Sequence, residues 1–238
     1  MKRTERRHLK ENELQTFARE ARGRFEEKRR ETMTIVGVVG VIAVIAVGYF
    51  AWRERVQTKA ASLLAEATAV KDARIAPPGT GESGLRFINE RERAQAAVAK
   101  FKTAADAYPS TDEGLHARYQ EATTWMTLGD PVKAAAAYQQ VIDKAGNRIY
   151  GQMARLGLAE AQAVQGQYDP AINTYKELAQ HKDGPLPVDG ILMQLGRAYL
   201  EAGKQSDAQQ TFNRLVEEFP DSPFTADAKR ALDSIKKS

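Results

Sequence analysis

The stretch from Met33 to Trp52 limits the fold of this chain more than any other, because it holds twenty residues without a charged side chain. At ~1.5 Å per residue, a helix of this length spans about 30 Å, which matches the hydrocarbon thickness of a bilayer. Ten of the residues are Ile, Val or Phe, and together they favour insertion by about 3 to 6 kcal/mol. Tyr49 and Trp52 lie where an interfacial aromatic belt would lie, and Arg53 ends the run. The sequence therefore predicts one transmembrane helix over 33–52.

Two other interpretations of this stretch are less favoured. A cleaved signal peptide has an apolar run of about 7 to 15 residues followed by a small-residue cleavage site, whereas this run is longer and ends in Tyr-Phe-Ala-Trp-Arg. A buried core helix that is apolar on every face needs a large protein around it. An uncleaved signal anchor fits the sequence best.

The charge distribution sets the expected orientation of this anchor. Residues 1–32 hold 11 Lys/Arg and 7 Asp/Glu, which leaves 24 of the 35 basic and 24 of the 31 acidic residues for the rest of the chain. Basic residues favour the cytoplasmic side. We therefore expect a basic cytoplasmic tail, 1–32, and a neutral extracytoplasmic domain, 53–238, on the periplasmic side of a bacterial inner membrane. A neutral domain also predicts no nucleic-acid partner.

The tail itself permits two interpretations. Asn12 with Gln15 resembles a capping box, and Leu14, Phe17 and Phe25 follow at helical spacing, which predicts a short amphipathic helix able to lie on anionic lipid or on a partner. A partly disordered basic segment is equally compatible with the composition.

The sequence offers no recognisable catalytic chemistry. It has no cysteine, so disulfides, thiolate metal sites and cysteine nucleophiles are excluded. His8, His116 and His181 are far apart and none belongs to a metal-binding motif. Walker and GxSxG patterns are also missing. We therefore predict a non-enzyme without metal, cofactor or small-molecule substrate.

Beyond the anchor, a helix and then a loop are predicted. From Arg53 to about Arg74 there is no Gly or Pro, and apolar residues recur every three or four positions. The Pro- and Gly-rich stretch that follows interrupts any helix, so residues 75–88 are predicted to form an exposed loop, either a plain connector or a flap over a binding surface.

A 37-residue period occupies the remainder of the chain. Small residues recur at Ala97, Ala134, Ala171 and Ala208, and an aromatic residue follows each one four positions later, at Phe101, Tyr138, Tyr175 and Phe212. Glycines precede three of the alanines by five positions, at Gly129, Gly166 and Gly203, and the units close at Pro109, Gly146, Asp183 and Pro220. Each unit therefore predicts two helices, and such pairs must stack to bury their apolar faces.

This pattern resembles the tetratricopeptide repeat family. The family's small residue, turn glycine, alanine and aromatic residue match Ala122, Gly129, Ala134 and Tyr138, and the next two units repeat them. The resemblance implies an all-α, right-handed superhelix. Its expected parts are a split first unit over 53–109 with the loop 75–88, units over 115–148, 152–185 and 189–222, and a capping helix over 222–237.

The resemblance also implies a protein-binding concave face, lined by the first helix of each unit. The matching positions are His116, Tyr119, Thr123, Met126, Met153, Leu156, Glu160, Met193, Arg197 and Leu200. Methionine side chains are flexible and suit varied apolar partners, but Met and Leu at these spacings also suit packing between units, and both interpretations stay open. The family's basic carboxylate clamp is not apparent, which argues against capture of a chaperone's C-terminal tail.

The order of parts resembles the ancillary subunit of the bacterial Sec translocon, a family of singly anchored proteins with an outward tetratricopeptide domain. That resemblance implies a non-catalytic, chaperone-like protein that lies beside the translocon and binds exported or unfolded polypeptides. The alternative is a structural scaffold that assembles one envelope complex, for example in cell division or outer-membrane biogenesis.

Overall fold

The computed structural model describes residues 3–76, 84–181 and 184–237, and the chain divides into two units, Met1–Arg55 and Val56–Ser238. The sequence-based expectations for the side chains of residues 1–27, 29, 30 and 32, for residues 77–83 and for Asp183 lie outside the described residues. Helix α1, Arg3–Lys71, supplies the whole described backbone of the first unit and begins the second. The backbone of the tail is thus helical from Arg3, so Asn12 lies inside a long helix and not at the N-cap that the sequence predicted.

Within the first unit, the predicted anchor is a helix without any protein cover. Every large apolar side chain from Met33 to Trp52 is more than half exposed. Among the described residues, one helical segment, inside Met33–Lys71, is long and apolar enough to cross a bilayer. A soluble helix with this surface would be exceptional, because exposed apolar patches of this size mark contact with another protein or a membrane.

The second unit contains successive helix pairs. The end of α1 is followed by two short strands, β1 (Arg74–Ile75) and β2 (Arg86–Phe87), and by α2 (Glu90–Ala107). The remaining helices are α3 (Asp112–Thr127), α4 (Pro131–Ala145), α5 (Ile149–Val164), α6 (Tyr168–Gln180), α7 (Val188–Glu201), α8 (Gln205–Glu218) and α9 (Thr225–Ile235). Each helix from α2 to α8 packs on the next. An all-α domain of stacked helix pairs is therefore confirmed.

Each of the three predicted glycine turns ends the first helix of a helix pair, as expected. Gly129, Gly166 and Gly203 have φ of 78°, 75° and 74°, a left-handed conformation that favours glycine. The second helix of the first of these pairs begins immediately afterwards, because the Asp130 carboxylate accepts a hydrogen bond from the backbone N–H of Lys133 at 3.0 Å and Pro131 occupies the first turn.

The alanine and aromatic positions of the period form the core. The four alanines of the period are fully buried, and Phe101, Tyr138, Tyr175 and Phe212 are at most 2% exposed. Their close packing depends on glycine at two contacts, because a Cβ added to Gly157 of α5 or to Gly196 of α7 would lie 2.4 Å from the ring of Tyr138 or Phe212, respectively. The predicted repeat contact is therefore the contact that holds consecutive helices together.

Two details differ from the sequence-based expectations. The predicted loop over 75–88 has paired ends, since β1 and β2 form a two-residue parallel bridge in which Arg74 pairs with Arg86 and Ile75 with Phe87. In the capping helix α9, helical spacing predicts that Ala226, Ala228, Leu232 and Ile235 dock; Ala228 and Leu232 are buried and Ile235 is partly buried, but Ala226 is exposed. Helical spacing alone does not show which residues of an end helix are buried against its neighbour.

A buried ion pair lies at the joint between α2 and α3. The Arg118 guanidinium donates to the Glu121 carboxylate at 2.5 Å, and their side chains are 11% and 8% exposed. It also donates to the half-exposed carboxylate of Asp106 on α2. The Lys102 ammonium and then Arg118 hold the pKa of Asp106 below its usual range against the opposing effect of burial. Arg118 therefore compensates the charge of the Glu121 carboxylate, which has little access to water.

We expect Arg118→Ala to lower the free energy of unfolding by about 3 kcal/mol, because it leaves Glu121 buried without its cation. The double variant Arg118→Met/Glu121→Leu should recover most of this loss. Urea denaturation of the full chain in detergent, followed by circular dichroism, measures both effects.

Lys100→Ala is the matched control for this experiment. It breaks the exposed Lys100–Glu66 ion pair (2.5 Å), which is worth less than about 1 kcal/mol. Equal losses for Arg118→Ala and Lys100→Ala would contradict a structural role for the buried pair.

Candidate protein-binding face

The candidate face lies on α3, α5 and α7, the first helices of three successive pairs. Glu160 and Arg197 are exposed on it. Seven further predicted positions are partly exposed: His116, Tyr119, Thr123, Met126, Met153, Leu156 and Leu200. Met193 is only 3% exposed and belongs to the same core cluster as Ala228 and Leu232 of α9. The structure therefore places Met193 in the core rather than on a surface that a partner can reach.

The apolar positions differ in how much of their surface is used by the core. Leu156 and Leu200 pack against the core cluster that surrounds α7, and Met126 packs against the cluster that surrounds α4. Met153 is half-buried and is not among the residues packed on either cluster. Leu156, Leu200 and Met126 thus pack between units and also expose part of their surface to a partner. The Met153 side chain packs on neither cluster.

A polar chain joins α1 to the beginning of this face. The Lys71 ammonium donates to Gln120 Oε1 at 2.8 Å, and Gln120 Nε2 lies 3.0 Å from His116 Nε2. The His116 ring also stacks on Tyr150 of α5, with centroids 5.4 Å apart. Burial first, and then the positive charge of Lys71, lowers the pKa of His116. These contacts favour a neutral imidazole that accepts a hydrogen bond from the Gln120 amide.

Tyrosines line the middle of the face around one carboxylate. Tyr119 of α3 lies against Tyr138 of α4, with ring centroids 5.6 Å apart. Burial raises the pKa of Tyr119, Tyr138 and Tyr175, and the negative charge of Glu160 raises all three further. The exposed Glu160 carboxylate is therefore close enough to act on phenol groups from three helices, α3, α4 and α6.

Opposite charges occur near the end of α7. Arg197 lies 3.9 Å from Asp227 of α9, and both side chains are partly exposed. Glu201 is exposed one turn further along α7, and its charge also raises the pKa of Tyr175 after burial and Glu160. The face thus changes from basic at Lys71 to acidic in the middle and mixed at its end.

The sequence-based list missed five residues that shape this face: Lys71, Gln120, Tyr150, Glu201 and the hydroxyl end of Tyr175. Lys71 and Tyr150 were outside the lining positions of the family, so only the structure could bring them to His116. The tyrosines did carry a signal, because the outer units have Phe101 and Phe212 at the same position where the middle units have Tyr138 and Tyr175.

Comparison with known proteins agrees with this geometry. A family model described as a tetratricopeptide repeat-like domain matches residues 25–222. No curated protein matches the sequence significantly.

Solved structures with the same arrangement share little sequence with this chain. Nearly identical TPR-like repeats from a candidate kinesin light chain of Podospora anserina superpose with a TM-score of 0.57 at 14% identity, over 75% of this chain and 86% of theirs. MamA superposes with a TM-score of 0.51 at 14% identity, over 65% of this chain and 85% of its own. At such identities the likeness shows the fold alone, and it confirms the predicted fold class.

The environment of His116 predicts a pH dependence of stability. Because the folded state lowers the pKa of His116, the unfolded chain binds a proton more readily, and the free energy of unfolding should fall as the pH drops below the unfolded pKa of about 6.5. We expect His116→Gln to flatten this dependence between pH 7 and pH 5. Thermal unfolding at a series of pH values, followed by circular dichroism, provides the measurement.

His181→Gln, at the exposed C-cap of α6, controls for the loss of a histidine. If His116→Gln and His181→Gln leave the same slope of stability against pH, the contacts of His116 do not govern its protonation.

Proposed function

Because this chain belongs to the tetratricopeptide repeat-like domain family, we propose that it is a non-catalytic, membrane-anchored module that binds exported or unfolded polypeptides beside the Sec translocon. The observation that carries the proposal is the row of partly exposed apolar and aromatic side chains on successive first helices, from Tyr119 through Met153 and Leu156 to Leu200. A row of side chains spread over successive helices suits an extended protein ligand, whereas small-molecule sites are enclosed clefts.

Weak and adaptable contacts are the useful kind for this role. Met153 is half-buried and carries a flexible, polarizable thioether. Leu156 and Leu200 expose only part of their surface, so each offers a modest apolar contact. Separate small contacts favour fast dissociation, which a polypeptide in transit requires.

Membrane anchorage is proposed from the first unit. The apolar side chains from Met33 to Trp52 are exposed along the helix, and a bilayer would cover them over a length that matches its hydrocarbon core. The excess of basic residues before Met33 supports a cytoplasmic N-terminus and a periplasmic repeat domain in a bacterial inner membrane. A single anchor ahead of a tetratricopeptide domain also supports association with the translocon.

The absence of cysteine from the sequence permits a clean test of this topology. We expect a membrane-impermeant maleimide to label Ser110→Cys, at an exposed position between α2 and α3, in intact spheroplasts. Thr4→Cys in the tail should be labelled only after the membrane is permeabilised. Gel-shift detection of the labelled chain gives the readout, and the reverse pattern would overturn the proposed orientation.

Crosslinking in living bacteria tests the proposed partners. We expect a photoreactive residue at Tyr49 to capture a translocon subunit, because this position would lie in the bilayer. One at Met153 should capture many exported polypeptides, because its side chain is accessible on the candidate face. Mass spectrometry identifies the captured proteins.

A photoreactive residue at Lys176, exposed on the second helix α6, is the control and should capture few exported chains. Capture of one defined envelope complex at both Tyr49 and Met153, without chains in transit, would reject the translocon role. That result would favour the scaffold interpretation instead.

A further inference from the structure

Two carboxylates on the candidate face, one in its middle and one at the end of α7, have no paired cation in the described structure. Glu160 of α5 and Glu201 of α7 are exposed, and neither takes part in an ion pair or hydrogen bond within the described part of the chain. Most other charged groups near this face have partners, such as Lys71 on Gln120 and Arg197 near Asp227. Glu160 in particular therefore leaves local negative charge that no cation pairs with among the described residues.

Two deeply buried tyrosines add unpartnered hydroxyl groups at the same place. Tyr138 and Tyr175 are 2% and 1% exposed, yet neither hydroxyl has a hydrogen-bond partner among the described residues. Within that part of the chain, Gln162 Oε1 is the one fully buried side-chain oxygen or nitrogen without a partner. The two hydroxyls must therefore reach solvent, so the small exposed fraction of each residue is its polar tip.

The Tyr138 ring lies against the part of α5 that carries Glu160, because a Cβ added to Gly157, three residues before Glu160, would lie 2.4 Å from that ring. The charge of Glu160 acts on Tyr138 and Tyr175, and the charge of Glu201 acts on Tyr175, in addition to the larger effect of burial on each pKa. Tyr138 reaches this position because Gly157 of α5 has no side chain where the ring passes. The floor between α3, α5 and α7 thus combines phenol oxygens with uncompensated negative charge.

We propose that this subsite, formed by Glu160 with Tyr138 and Tyr175, binds the lysine or arginine side chain of an extended polypeptide, and that the charge of Glu201 adds to its negative potential. The cationic head would meet the Glu160 carboxylate and donate to the phenol oxygens, which can accept hydrogen bonds. Its aliphatic stem would lie along Tyr119 and Leu156, which are both partly exposed beside Glu160.

This inference rests on the proposed polypeptide-binding function and adds the class of side chain that the face selects. An apolar face alone would bind any unfolded segment. A carboxylate with three phenols around it would prefer segments in which a basic residue interrupts apolar ones, because a cation there gains charge interactions that a neutral side chain lacks.

Peptide binding to the full chain in nanodiscs of phosphatidylcholine tests the subsite. The probes are two fluorescent twelve-residue peptides of Leu, Ser and Gly that differ only at the centre, with lysine in one and norleucine in the other. Fluorescence anisotropy should show that the lysine peptide binds about fivefold more tightly at low salt, as for one partly exposed ion pair, with a smaller advantage in high salt.

Variants assign this preference to the subsite. We expect Glu160→Gln to remove most of the fivefold advantage, and Glu201→Gln or the isosteric Tyr175→Phe to reduce it about twofold. Glu177→Gln, an identical charge change on the exposed side of α6, should leave the advantage unchanged.

The outcomes separate this inference from the proposed function. Equal binding of the two peptides, or equal effects of Glu160→Gln and Glu177→Gln, would overturn the cation subsite while polypeptide binding stands. Failure of both peptides to bind would overturn the proposed function and the subsite together.

Discussion

The stack depends on the contact between a small residue on one helix and a neighbouring aromatic ring. The fully buried alanines at 37-residue intervals let adjacent helices approach, and the aromatic residue one turn later fills the space beside them. No helix pair could bury this contact alone, so each unit needs its neighbour. Since the second helices provide the rings, the residues of the candidate face on α3, α5 and α7 are free to vary.

The polar groups inside the stack stabilise it less than well-packed apolar side chains of similar size would. Arg118 joins Glu121 and Asp106 at the joint between α2 and α3, where an apolar contact would pack at less desolvation cost. The ring hydroxyls of Tyr138 and Tyr175 likewise add nothing to the core that phenylalanine would lack. These two tyrosine hydroxyls give little stability and yet reach the candidate face, so they are more readily explained by what that face binds.

Much of the fold could be predicted from the sequence, because the repeat contact recurs with a fixed period and needs particular residue types. Gly129 illustrates this, since its left-handed turn is what the spacing required. The candidate face was less predictable. Helical spacing places Met193 on the same side as Leu200, but it does not show that the core around α9 includes that side chain. The paired ends of the loop over 75–88 were missed because two-residue strands have no pattern of their own.

Composition hides the charge pattern that gives the face its chemistry. The 24 basic and 24 acidic residues after the tail cancel in number, yet Lys71 lies at one end of the face while Glu160 lies in the middle. Charges separated in this way act locally, because a Debye length of about 8 Å at physiological salt screens distant groups. A neutral domain can therefore discriminate among polypeptide segments, and the tyrosines matter most where water is partly excluded and the field of Glu160 is least screened.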